Sequence, residues 1–144
     1  MSTLALDTSA AVKLLLPEIG ATVVRDLWDG SARVVASTLI RPEVASALSR
    51  RRRQGDLSAV QHRSLSDAWE VIRSEIGFVQ SNGDVVDLAV DLTHRHPLSG
   101  AAAVHLASAL ALGIDDVVLV TWDARLHTAA LAEGLAVAPG SLTG

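Results

Sequence analysis

Short apolar runs alternate with longer amphipathic ones along this chain, and that alternation narrows the fold more than any other feature. TLAL from Thr3, RVVAS from Arg33, GFVQ from Gly77, DVVLVT from Asp116 and LAVA from Leu135 have strand length and mostly apolar character. Strands covered on both faces of a parallel sheet read in this way. Helix signals fill the intervals. Ser9 is placed to cap a first helix that Pro17 ends, and a second helix runs from about Ala21 to Trp28. A third covers Thr38 to Gln54 and stops at Gly55, and Ser58 with Gln61 forms a capping box for a fourth. Asp84 opens a fifth that finishes before Pro97, Ser99 a sixth closed by Gly113, and Asp123 a last one closed by Gly134.

No repeat, low-complexity tract or linker divides the sequence, so residues 1–144 read as one domain. The expected architecture is an α/β/α sandwich around a central parallel sheet of about five strands. With aromatics at 3%, its core must be filled by Ala, Val, Leu and Ile. In such sheets ligands bind at the carboxyl ends of the strands, near the point where strand order reverses.

That rim collects acids. Asp7 is the first polar residue after TLAL, at the mouth of a helix N-terminus; it reads equally as a cap or as a functional acid. Glu43 falls inside the apolar stripe formed by Leu39, Ile40, Val44, Ala47 and Leu48. A carboxylate aimed at a core needs a partner, which could be a metal ion or Arg41, unless it reaches solvent at the stripe's edge. Asp123 follows the fourth strand, where an N-cap is the ordinary role, and Thr121 may be no more than the last strand residue. Together, two strand ends and one helix face direct three carboxylates at one rim. Clustered carboxylates repel one another unless a cation sits among them. Oxygen ligands favour Mg²⁺, or Mn²⁺, over Zn²⁺, and such a site suits phosphodiester hydrolysis.

Several classes are excluded or disfavoured. The chain has no cysteine, which removes disulfides, thiolate metal sites and cysteine nucleophiles. Its longest apolar stretch, GAAAVHLASALALGI, is too short for a membrane span, and no signal peptide is evident, so a soluble cytoplasmic protein is expected. The net charge of −4 gives no global attraction to nucleic acid. Any such attraction must be local, and Arg50, Arg51, Arg52 and Arg53 are the candidates. Cations at a helix end are also favourable for structural reasons, and four successive helical residues cannot share one stripe.

LDTSAAVKLLLPE at the start, LIRPEVASAL around Glu43, and LSGAAAVHLASALALG followed by VLVTWDARLHTAA together resemble a PIN domain of the bacterial VapC toxin kind. The resemblance spans nearly the whole chain. It implies a metal-dependent endoribonuclease cutting cellular RNA such as tRNA or rRNA, a VapB-like antitoxin and a homodimeric toxin. It assigns the acids to Asp7, Glu43 and Asp123, with Ser9 and Thr121 in support. One position departs from the pattern: an aspartate is expected three residues before His105, and Ala102 stands there. Asp115 and Asp116 are poor replacements, because they precede the fourth strand at its amino end. Reduced activity is therefore expected, whether the chain is a degenerate member, a deliberately altered variant or one that recruits another acid.

Other residues have plainer readings. His105 is expected to be a partly buried, hydrogen-bonding histidine, and His94 and His96 mark a solvated helix end. Asp84, Asp87 and Asp91 form the wet side of an amphipathic helix rather than a second metal site. Two alternatives accompany the nuclease reading. One is an impaired PIN domain that binds antitoxin or RNA without turnover. The other is an aspartate-nucleophile phosphatase, disfavoured because Ser9 occupies the place of its second aspartate and Lys13 is the only lysine.

Overall fold

The computed structural model describes residues 2–142. Five strands form one sheet: β1 (Thr3–Leu6), β2 (Arg33–Ser37), β3 (Gly77–Val79), β4 (Val117–Val120) and β5 (Ala136–Ala138). Their order is β3-β2-β1-β4-β5 and every pairing is parallel. The chain therefore builds outward from β1 on one side, then returns to pair β4 with its other edge. This reversal opens the crevice between the loops that follow β1 and β4.

Alternate strand residues serve opposite faces, as the pleat requires. Leu4, Leu6, Val34, Ala36 and Val120 pack with one layer of helices. That layer holds α1 (Thr8–Val12), α2 (Ala21–Asp29), α3 (Ile40–Arg53) and α4 (Ala59–Arg73). Ala5, Val35, Val117 and Leu119 pack with the other, which holds α5 (Gly83–Arg95), α6 (Gly100–Leu110) and α7 (Ala124–Ala132). The expected α/β/α sandwich is present, and its core is aliphatic except for Trp69.

The helix starts differ in instructive ways. Asp7, not Ser9, caps α1 by accepting from the Ala10 N–H. That helix ends at Val12, because the chain tightens into i→i−3 hydrogen bonds that deliver Leu15 and Leu16 to the core before Pro17. Asn82 rather than Asp84 caps α5. The Ser58–Gln61 capping box and the Ser99 and Asp123 caps form as the sequence indicates.

Leu106 is fully buried on α6. Leu106→Ala is expected to lower unfolding stability by about 2–5 kcal/mol, and Ser58→Ala by about 1 kcal/mol through the lost cap. Urea unfolding checks both. An equal effect of the two substitutions would contradict this placement of the core.

Candidate functional site

The carboxyl ends of β1 and β4 are tied together through one side chain. Asp7 is only 4% exposed. Its Oδ1 accepts from the Ser9 hydroxyl at 2.7 Å and from the Ala10 N–H at 3.0 Å, while its Oδ2 accepts from the Thr121 hydroxyl at 2.6 Å. Each hydroxyl also accepts a backbone N–H of the β4–α7 loop. Trp122 N–H donates to Ser9 Oγ, and Asp123 N–H donates to Thr121 Oγ1. Two relays thus run from the β4–α7 loop, through a hydroxyl each, to the two oxygens of one acid. Burial raises the Asp7 pKa, with the bonds from Thr121, Ser9 and Ala10 opposing that rise.

Glu43 approaches from the first turn of α3. Its Oε1 lies 2.6 Å from His105 Nε2 and accepts from the Thr8 hydroxyl at 2.8 Å. The partner of this acid is therefore His105 of α6, not the neighbouring Arg41. The histidine bond, helped by Thr8, holds the Glu43 pKa below its usual value despite partial burial. An ionised Glu43 makes Nε2 the donor, and His105 Nδ1 is buried with no partner among the described residues. The expected hydrogen-bonding role of His105 is what the structure shows.

Asp123 caps α7, its Oδ1 accepting from the Arg125 and Leu126 N–H groups. It also lines a cavity of about 180 Å³ together with Asp7, Ser9, Glu43, Ala102 and His105. All three candidate acids, and the alanine at the departing position, share this wall. Thr121 lies behind it, fully buried. Among the described residues no three His, Asp or Glu side chains stand close enough to hold one ion as a set. The cavity thus collects oxygen donors without closing them into a cage.

Thr8 was missed in the sequence, where Ser9 was picked out as a helix cap and through the family resemblance. Asp84, Asp87 and Asp91 lie on α5, and no metal cluster forms there among the described residues. His96 and Arg95 both reach Glu133, a peripheral link between α5 and α7's end. The Asp116 backbone carbonyl accepts from the Thr3 N–H at the amino end of the sheet, so this residue stands at the wrong end to replace an acid at the rim.

A PIN-domain family model matches residues 4–131. The chain is also 42% identical over 136 residues to "Ribonuclease VapC45" of Mycobacterium tuberculosis, covering 94% of each protein. This chain belongs to the PIN-domain family, in its VapC branch. Solved PIN structures share its fold at lower identity. VapC20 of Mycobacterium tuberculosis, described as a sarcin-ricin loop cleaving toxin, superposes with a TM-score of 0.68 at 19% identity, over 92% of this chain and 95% of that one. VapBC2 from Rickettsia felis, bound to a promoter DNA fragment, gives 0.66 at 13% identity, over 94% and 96%. The phosphatase reading has no support from these matches.

The two acids give opposite pH dependences. A raised Asp7 pKa means that the folded state binds the proton more tightly than the unfolded chain. Its stabilising contribution is present below the ordinary carboxylate range and is lost as pH rises through the raised value. A lowered Glu43 pKa contributes stability above the ordinary range that is lost as pH falls through the lowered value. In metal-free buffer, Asp7→Asn is expected to remove the decline on raising pH, and Glu43→Gln to remove part of the acid decline. Urea unfolding from pH 3 to 8 measures both. Curves parallel to the unaltered protein's would contradict these assignments.

Proposed function

We propose that this protein is a metal-dependent endoribonuclease, the toxin of a type II toxin–antitoxin pair, cutting cellular RNA such as tRNA or rRNA at the Asp7–Glu43–Asp123 cavity. The observation that carries this reading is the convergence of three acids, from the ends of β1 and β4 and from α3, on one wall. The 42% identity to a VapC ribonuclease supports RNA as the substrate. The VapBC pair among the fold neighbours supports a VapB-like antitoxin as the partner. No helix among the described residues is long and apolar enough to cross a membrane. A cytoplasmic homodimer completes the proposal.

Asp7, Glu43 and Asp123 would hold Mg²⁺ or Mn²⁺ in part through the ion's water shell rather than as one closed set, since the donors are oxygens and the one nearby imidazole is engaged by Glu43. When bound, such an ion lowers the pKa of a water and stabilises developing oxyanions. The chain's own residues fix the geometry. Ser9 and Thr121 each hold one oxygen of Asp7, so its carboxylate cannot rotate freely. His105 and Thr8 hold Oε1 of Glu43 in the same way. Ala102 brings only a methyl group to the wall, where the family pattern supplies a further acid. Weakened ion binding and slower cleavage follow from that difference.

Ala102 also favours the second reading, a PIN domain that binds antitoxin or RNA with little turnover. RNA cleavage in Mg²⁺ or Mn²⁺ separates the two. Ala102→Asp is expected to raise the cleavage rate at least about tenfold, and Glu43→Gln to lower any cleavage by a comparable factor or more. No cleavage by either the unaltered protein or Ala102→Asp would favour the binding role. Cleavage that Ala102→Asp leaves unchanged would show that this position is not the vacant acid's.

A further inference from the structure

Lys13 is the only lysine in the chain, and it is 8% exposed inside an otherwise apolar segment. Its ammonium lies 3.3 Å from Glu18 Oε1 and 4.7 Å from the centre of a Trp122 ring. Trp122 is in turn fixed from two directions. Its N–H donates to Ser9, and Gly20 lies against its ring; a Cβ at Gly20 would fall 2.5 Å from Trp122 Cζ2. Lys13 is therefore held relative to the loop that carries Asp123. The Glu18 bond uses one of its three N–H donors.

Glu18 also pairs with Arg51 at 2.6 Å. Lys13, Glu18, Arg50 and Arg51 line a groove of about 290 Å³, whose wall also includes Thr8 and Ser9. Those two residues line the acidic cavity as well, so groove and cavity adjoin across Thr8 and Ser9. Ala47, Arg50, Arg51 and Gln54 face the groove at i, i+3, i+4 and i+7 on α3. Arg52 and Arg53 are absent from this wall. The local balance is three cations to one carboxylate, on a chain whose net charge is −4.

We propose that this groove is a phosphate subsite, in which Lys13, Arg50 and Arg51 hold a backbone phosphate of the RNA strand next to the one at the acids. This inference rests on the nuclease reading and divides the arginine run into two functional halves. Its place beside the cavity favours a nucleic-acid strand over an acidic peptide, because a strand engaged at the acids must continue across an adjoining surface. Cations serve such a strand by neutralising phosphates, with no reading of bases.

The test is binding of a fluorescein-labelled, mixed-sequence single-stranded RNA oligonucleotide in EDTA, by anisotropy, across a range of salt concentrations. Lys13→Met and Arg50→Gln are each expected to reduce the slope of log K against log salt by about 1. Arg52→Gln/Arg53→Gln is expected to leave the slope unchanged. Arg50→Gln alters an exposed side chain, so it remains informative if Lys13→Met fails to fold. Equal slopes for the unaltered protein and the groove variants would overturn the subsite but leave the nuclease reading standing. No salt-dependent RNA binding by the unaltered protein would overturn both. A poly-glutamate peptide is titrated in parallel. Slope changes seen with the peptide alone would assign the groove to an acidic protein partner and overturn its role toward RNA.

Discussion

A carboxylate removed from water must recover its hydrogen bonds from the protein or take up a proton. Asp7 recovers them from the Ser9 and Thr121 hydroxyls and the Ala10 N–H. Because each hydroxyl also accepts an N–H of the β4–α7 loop, satisfying this one acid fixes the distance between the crevice's two sides. Cap, crevice and candidate site are thus a single hydrogen-bonded unit. Asp7 caps α1 with Oδ1 while also lining the cavity, so the cap does not remove it from the candidate site.

No lysine or arginine forms an ion pair with Asp7 among the described residues, so its burial is opposed mainly by hydrogen bonds, which do not cancel it. Glu43 differs, with its imidazole partner and its partial exposure to solvent. Lys13 and Arg51 supply full positive charge, but in the adjoining groove rather than among the acids. On the proposed function, this separation of acidic cavity from basic groove would let an acidic protein hold a polyanion beside a cation.

The alternating pattern made the layers, all five strands and the location of the rim legible. Every strand was short and apolar, and the parallel sheet left few ways to cover both faces. Helix starts were legible where the cap was a lone Ser, as at Ser58 and Ser99. They were misread where neighbours competed: Asp7 against Ser9, and Asn82 against Asp84. The partner of Glu43 was not legible, since His105 lies 62 residues away on the other layer of helices, and only the folded sheet joins them. Lys13 did carry a signal, a lone cation among apolar residues, but its companions Glu18, Arg51 and Trp122 meet it only in three dimensions.

The acids' shared task is tested most directly by diffraction from crystals grown with Mn²⁺, using the ion's anomalous scattering. An anomalous peak in the cavity is expected, within about 2.2 Å of an Asp7 oxygen and reaching Glu43 or Asp123 directly or through water. A cavity without such a peak at saturating Mn²⁺, while RNA is still cut in that buffer, would contradict the account.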